Sequence, residues 1–316
     1  MPVVSIITAT RNRPDVLARA LESIAQQTLT DYELLVVDDG SPESIHDQYC
    51  QLLKPFAGRA RVLRRNPLLD KTGTPAIARN RGIREAQSRW VAFLDDDDRW
   101  TDPRHLEIAV SCLERTQSDV FFANRRGERQ GSVEVLDRYP DSPRLVRGPC
   151  VHDDPSVFQV DLQAMVTALR HDSIHPDVVV ISRQLLMDTG GFCERLIYTE
   201  DYELMMQVAD RAQSVLYRPD VVAAYTVNSE GAHSLGVRHL DQLLDRLTAA
   251  QHVRATCRSA AVRRCARQRE SWVLREVSEL IGKRRRTESV RLRWQAFAVY
   301  PSPGAFSSLM RALVTI

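Results

Sequence analysis

Four carboxylates in a row, Asp95 to Asp98, close the apolar run Trp90-Val91-Ala92-Phe93-Leu94. The apolar residues have the length and the aromatic and β-branched content of a buried strand. The acids then fall at the strand's C-terminal end, where open α/β sheets place their ligands. Adjacent carboxylates repel one another and hold their charge most easily around a cation. A second run, Glu33-Leu34-Leu35-Val36-Val37, ends the same way, in Asp38-Asp39-Gly40-Ser41. Farther on, Glu200 and Asp201 stand side by side after Thr199, which is placed to cap a helix with acids in its first turn. By its mechanics alone that last pair reads as a well-capped helix. The chemistry on offer is a metal-assisted reaction on a phosphorylated ligand.

Positioning these groups requires a sheet. Val3-Val4-Ser5-Ile6-Ile7 reads as a first strand, followed by the polar loop Thr8 to Pro14. Asp15 to Gln26 has apolar residues at helical spacing, and Pro14 stands where a missing N–H costs little. Arg61 to Arg64 gives a third strand, and Ala76 to Ala86 a helix leading back to the central run. Strand and helix alternate as in a parallel, right-handed doubly wound sheet. Loops after its parallel strands share one edge, so Asp38/Asp39 and Asp95 to Asp98 are expected to face one nucleotide-sized crevice. No G-x-G-x-x-G follows the first strand and no G-x-x-x-x-G-K-[ST] occurs, which argues against dinucleotide dehydrogenases and P-loop NTPases. A metal held by the acids would then neutralise the phosphates.

Beyond this half, Pro103 to Arg115 reads as a helix, Val120 to Ala123 as a strand, and residues 127 to 155 as an irregular loop over the site. His152, Asp153 and Asp154 fall in that loop. Asp177 to Ile181 is strand-like, Gln184 to Asp188 a short helix, and 240 to 281 helical with Leu240, Leu243, Leu244 and Leu247 on one stripe.

The chain has 316 residues, 43% of them hydrophobic, and a net charge of +2. The charge is unevenly spread. Residues 254 to 293 hold thirteen Arg and Lys against four acids, a net +9, which leaves the remainder at −7. The six cysteines are scattered without a C-x-x-C pair, consistent with a reducing compartment. No signal peptide is evident, and no apolar run approaches the ~18 residues of a membrane span. The basic tail, with Trp294, Phe297, Tyr300 and Phe306 nearby, suits nucleic acid or an anionic membrane surface, or is a solvated helix face.

Taken together, four motifs resemble the family 2 inverting nucleotide-sugar glycosyltransferases of the GT-A fold. They are Ser5-Ile6-Ile7-Thr8-Ala9-Thr10-Arg11-Asn12-Arg13, Leu34 to Ser41, Ala78-Arg79-Asn80-Arg81-Gly82 leading to Phe93 to Asp98, and Gly190-Gly191-Phe192 followed by Glu200-Asp201-Tyr202-Glu203-Leu204. The resemblance covers residues 3 to about 235. It implies a Rossmann-like mixed, mainly parallel sheet flanked by helices, with a helical, basic C-terminal extension. The implied divisions are 1–110 for the nucleotide sugar, 111–236 for the acceptor and 237–316 for the extension.

The same resemblance implies roles. Ala9, Thr10 and Arg11 line the base, and Asp39 accepts from a base N–H. Asp95 and Asp97 form the DxD pair, Asp97 on Mn²⁺ or Mg²⁺ and Asp95 on the ribose or the metal's water shell, with Asp96 between them. Arg79 touches phosphate or braces its helix. Asp201 is the general base with Glu200 beside it, and His233 is a lid residue near the diphosphate or metal. Arg11 replaces the family's usual aromatic, and Cys193 replaces an acid after Gly-Gly-Phe.

The expected reaction moves a sugar from a UDP- or dTDP-sugar to an acceptor hydroxyl on a carbohydrate, a lipid-linked molecule or a small molecule, in polysaccharide, glycolipid or natural-product biosynthesis. A cytoplasmic protein is expected, peripheral on the inner membrane face if residues 254 to 316 engage lipid, and no nucleic-acid partner. The competing readings are a sugar nucleotidyltransferase and a non-catalytic nucleotide-sugar or nucleic-acid-binding protein.

Overall fold

The computed structural model describes residues 1–56, 58–65, 73–129, 132–137, 150–151, 154–169, 173–227, 239–282 and 285–314. Its first half is built as the alternation predicts. Strand β1 (Val4–Thr10) is followed by helix α1 (Pro14–Ala25), β2 (Tyr32–Asp38), α2 (Glu43–Leu52), β3 (Ala60–Arg64), α3 (Pro75–Glu85) and β4 (Trp90–Phe93). These strands lie in the order β3-β2-β1-β4, all parallel. Strands β1, β2 and β4 are buried nearly throughout, as a sheet covered on both faces requires. Thr10 pairs with Asp38, and Ile7 with Phe93. The loops after β1, β2 and β4 therefore leave the sheet on one edge.

The second half supplies β5 (Arg99–Trp100), α4 (His105–Thr116), β6 (Val120–Arg129), β7 (Ser132–Asp137), β8 (Cys150–Val151), β9 (Asp154–Gln159), α5 (Leu162–Ala168), β10 (Val179–Ser182), α6 (Arg183–Thr189), α7 (Glu200–Arg211) and β11 (Val215–Thr226). The sheet continues from β4 through β10, β6, β11, β9 and β8. It is mixed: β10 runs antiparallel to both β4 and β6, while β6 and β11 are parallel.

In this second half two stretches differ from expectation. The region from 127 onward is not all loop, since β6 continues to Arg129, β7 pairs back on it, and β8 pairs with β9. Val133 and Val135 remain 50% and 38% exposed, so backbone pairing rather than a buried face makes this hairpin. Residues 176 to 178 form a 3₁₀ turn rather than the start of a strand. The carboxylate of Asp177 turns inward there to accept the N–H of Asp95 at 2.9 Å.

The C-terminal part is helical: α8 (His239–Thr256), α9 (Ala260–Ile281), α10 (Arg286–Val299) and α11 (Pro303–Val314). The expected helix across 240 to 281 is broken at 257 to 259. Asp210 at the end of α7 accepts the N–H of Arg258 at 2.9 Å and of Ser259 at 2.6 Å, satisfying donors that α9 leaves open at its start. Leu243 is fully buried, whereas Leu244 is 45% exposed. Ala249, Val253, Val262 and Ala266 join the same apolar cluster as the sheet. No described helix is long and apolar enough to cross a membrane.

Candidate functional site

A cleft of about 550 Å³ opens where β1, β2 and β4 end. Ala9, Thr10 and Arg11 form one wall as β1 runs out, and Asp39 stands beside them after β2. The N–H of Asp39 donates to the Thr10 carbonyl at 3.0 Å, tying the two strand ends together. Burial pushes the Asp39 carboxyl up, while Arg65 and Arg11 draw it back down. Gly73 lies so close to that carboxylate that a Cβ would collide with it, so the loop entering α3 closes over Asp39 only with glycine there. Asp38 does not face the crevice, contrary to expectation. It is fully buried, accepts the Ser41 N–H at 2.9 Å and lies 3.1 Å from His46 Nδ1, which fixes the Asp-Gly-Ser turn.

The four acids after β4 do different work. Asp96 is buried, takes the Thr10 hydroxyl at 2.7 Å and pairs with Arg13 at 2.9 Å. Burial pushes its carboxyl up to about 7 despite that arginine. Asp97 accepts from the other Arg13 nitrogen at 2.8 Å. Asp95 and Asp98 instead meet His175 and Asp177, and the four offer ligand atoms within 4.8 Å of one another. His175 Nδ1 is 2.9 Å from Asp177 and Nε2 is 3.6 Å from Asp95. Burial and the neighbouring Asp177 charge raise the Asp98 carboxyl well above its ordinary range, while His175 and a hydrogen bond from Asp98 hold Asp177 low. Buried carboxylates this close need a proton or a cation between them. A donor set of three carboxylates and one imidazole suits a hard divalent ion such as Mg²⁺ or Mn²⁺, so these residues fit the implied metal. Asp97 stands outside this group, and His233 lies outside the described residues, as do His152 and Asp153.

Across the cleft, α7 presents Glu200 and Asp201. Thr199 is at the N-cap position but makes no cap bond with its side chain. Glu200 is buried, and burial pushes its carboxyl up to about 7, opposed by Arg79 and reinforced by Asp201. Asp201 is half-buried and accepts the N–H of Tyr202 at 2.6 Å. Arg79 reaches both sides. It donates to Glu200 at 3.0 Å and to Asp95 at 2.6 Å, so it braces carboxylates from two elements.

The next residue ties two distant motifs together. Asn80 donates to the Phe192 carbonyl at 2.8 Å and accepts the Phe192 N–H at 2.8 Å. Gly190 and Gly191 have φ of +84° and +74°, a backbone that favours glycine. A Cβ on Gly191 would strike the Asn80 side chain.

The structure thus gathers Ala9, Thr10, Arg11, Asp39, Arg79, Asp95, Asp96, Asp97, Glu200 and Asp201 on one cleft. Asp98, expected among the strand-end acids, belongs to the site as well, whereas Arg13, His175 and Asp177 were missed as members. Arg13 was visible only as a basic residue in the first loop, and Asp177 was hidden inside a strand-like run.

Residues 5–149 match the family model described as Glycosyl transferase family 2. The chain is 33% identical over 186 residues to the succinoglycan biosynthesis protein ExoW of Rhizobium meliloti, covering 57% of this chain and 54% of that protein. It therefore spans about half the length of that curated relative. Among solved structures, S. aureus TarS 1–349 in complex with UDP-GlcNAc superimposes with a TM-score of 0.63 at 17% identity, covering 98% of this chain and 79% of that one. A mannosyltransferase from Pyrobaculum calidifontis in complex with GDP-Man and Mn²⁺ gives 0.58 at 17% identity, covering 99% and 80%. The shared architecture is the GT-A fold.

Proposed function

We propose, from a chain whose residues 5–149 are a family 2 glycosyltransferase domain on a GT-A fold, that it transfers a sugar with inversion from a UDP- or dTDP-sugar to an acceptor hydroxyl. The observation that carries this reading is one cleft bounded by a base-sized wall, an acidic cluster and a separate carboxylate pair. Its setting is the building of a polysaccharide, in keeping with the succinoglycan relative.

In this reading Ala9, Thr10 and Arg11 hold the base, with the Arg11 guanidinium lying where an aromatic would stack. Asp39 accepts the N3–H that uracil and thymine both carry. Inverting transfer is a single displacement at the anomeric carbon, and the leaving group is a nucleoside diphosphate. Asp95 and Asp98, with His175 and Asp177, would hold a divalent cation, which when bound neutralises charge on that leaving group. Asp97, paired with Arg13, lies beside them as the DxD partner of Asp95. Asp201 takes the proton of the attacking hydroxyl. Glu200, committed to Arg79, shapes the field around it.

The test is a panel of nucleotide sugars with Mn²⁺. Release of a nucleoside diphosphate supports the transferase. Pyrophosphate formed from a nucleoside triphosphate and a sugar phosphate would support a nucleotidyltransferase instead. Tighter calorimetric binding of GDP than of UDP would reject the assignment of the base.

The C-terminal helices carry a second element of the reading, contact with an anionic membrane surface near a lipid-linked acceptor. Trp294 is 59% exposed and Phe306 52%, with Phe297 between them at centroid distances of 6.3 and 6.0 Å.

A further inference from the structure

The seven residues between Phe192 and Glu200 lead straight into the carboxylate pair. Asn80 pins the start of this loop at Phe192. Its end is pinned from the C-terminal helical part, by Asp245 on α8. One carboxylate oxygen of Asp245 accepts the N–H of Ile197 at 2.9 Å. The other accepts the N–H of Tyr198 at 3.1 Å and the hydroxyl of Thr199 at 2.7 Å. Three consecutive residues thus donate to a single side chain. Each bond has an ionised acceptor, the stronger class of hydrogen bond.

The arrangement also accounts for Thr199, whose hydroxyl is spent on Asp245 instead of on the first turn of α7. Asp245 does not line the cleft, but Ile197, Tyr198, Glu200 and Asp201 all do. The extension grips the next turn of α7 as well. The Arg269 guanidinium sits 3.7 Å from the centre of the Tyr202 ring, and His252 Nδ1 is 2.7 Å from the buried Glu203.

We propose that Asp245 is a positioning residue for the acceptor side of the site. It holds the backbone of 197 to 199 so that Tyr198 and Asp201 face the reacting hydroxyl. This rests on the reading of Asp201 as the base. The extension is then part of the catalytic apparatus, because without Asp245 the loop has three donors and no common acceptor. The donor side, built on β1, β2 and β4, does not depend on it.

The experiment compares the full chain with Asp245→Ala, Asp245→Asn and Thr199→Val. UDP release from UDP-hexoses is measured with and without a p-nitrophenyl glycoside as acceptor, alongside UDP affinity by calorimetry and amide exchange by mass spectrometry. Asp245→Ala should lower kcat by about a hundredfold, the cost typical of a misplaced reacting group, with UDP affinity unchanged. Thr199→Val, which removes one of three bonds, should lose less, and Asp245→Asn, which keeps one carbonyl oxygen, should fall between them. Exchange should accelerate at Ile197 and Tyr198 in Asp245→Ala and stay unchanged at 94 to 98. Wild-type kcat in a folded Asp245→Ala would overturn the proposal, as would a parallel loss of UDP affinity. If the wild-type chain neither binds UDP nor releases it, the functional reading fails, and unchanged exchange at 197 and 198 would overturn the clamp independently.

Discussion

Arg79 Nη1 lies 3.0 Å from Glu200 Oε1, and this contact joins α3 to the first turn of α7. The same guanidinium holds Asp95 with its other nitrogen. Its side chain is 7% exposed, so the charge is compensated by these partners rather than by water. Removing it leaves two carboxylates without their shared cation. Arg79→Ala should therefore destabilise the fold by about 3 kcal/mol, the scale for breaking a buried pair from one side. Arg79→Lys keeps the charge but cannot fork between two partners, and it should recover part of the loss. Urea titration measures both, and an unchanged midpoint in Arg79→Ala would show that the bridge contributes nothing.

Much of this site is local in sequence. The strand-end acids are legible because a buried run and its polar terminus are contiguous, and parallel strands send their ends to one edge. The glycine pair before Phe192 is also legible as a break. What was not legible depends on partners far away. Asp38 and Asp39 are adjacent and alike, yet only a turn closed by Ser41 and His46 decides which one faces the cleft. Asp177 sits in an apolar run with strand periodicity, and its role emerges only when the chain brings His175 beside Asp95. Thr199 carries a capping signal that holds locally but is overridden by Asp245, 46 residues on.

The carboxylate pair separates by substitution. Asp201→Asn should lower kcat by ~10²–10⁴-fold with little change in UDP affinity, because the amide has the same shape and cannot take a proton. Glu200→Gln should cost less, since Arg79 can still donate to the amide oxygen. Steady-state kinetics on both variants decides the order. A larger loss in Glu200→Gln would transfer the base to that residue.

Asp95→Ala and Asp98→Ala should each remove Mn²⁺-dependent UDP binding while the protein stays folded, because both belong to the cluster around His175 and Asp177. Asp97→Ala should leave Arg13 paired with Asp96 alone and weaken binding less. Calorimetric titration of UDP with and without Mn²⁺ reads this directly. If Asp97→Ala is the most damaging of the three, the ion sits on the DxD pair and the His175 cluster is a structural network.

His105 sets a pH dependence away from the site. It is fully buried between Trp100 and Phe121, and neither ring nitrogen has a hydrogen-bond partner. Burial, helped by Arg218 and opposed by Asp102, lowers it from 6.5 to about 3. The unfolded chain takes up the proton first as pH falls. The stability from keeping this ring neutral is therefore complete above pH 6.5 and lost progressively toward the folded value. The loss should be about 2 kcal/mol by pH 5, from about 1.4 kcal/mol per unit. His105→Phe should abolish that part of the acid sensitivity. Urea midpoints at pH 7 and pH 5 test it, and equal pH sensitivity in both proteins would refute it.

The exposed face of the last two helices makes the final prediction. Phe306, Met310 and Leu313 recur at the spacing of one helical face, and all three are more than 40% exposed. Trp294 adds a fourth exposed side chain, linked to Phe306 through Phe297. From residue 289 to the end the sequence contains no Asp or Glu, while Arg291, Arg293 and Arg311 are present. An apolar face with aromatic members, bordered by cations and free of acids, has the composition of a helix that lies in a membrane interface. Each basic residue near an anionic leaflet adds about 1 kcal/mol, so a few suffice for reversible binding. The protein should sediment with anionic vesicles at low salt and not with neutral ones. Binding should weaken as salt rises, because the attraction is screened over ~10 Å at 0.1 M. The paired substitution Trp294→Ser and Phe306→Ser should reduce sedimentation without altering UDP release from a soluble donor. If the wild-type protein stays in the supernatant with anionic vesicles at low salt, the arginines are a solvated helix face and the acceptor need not be lipid-linked.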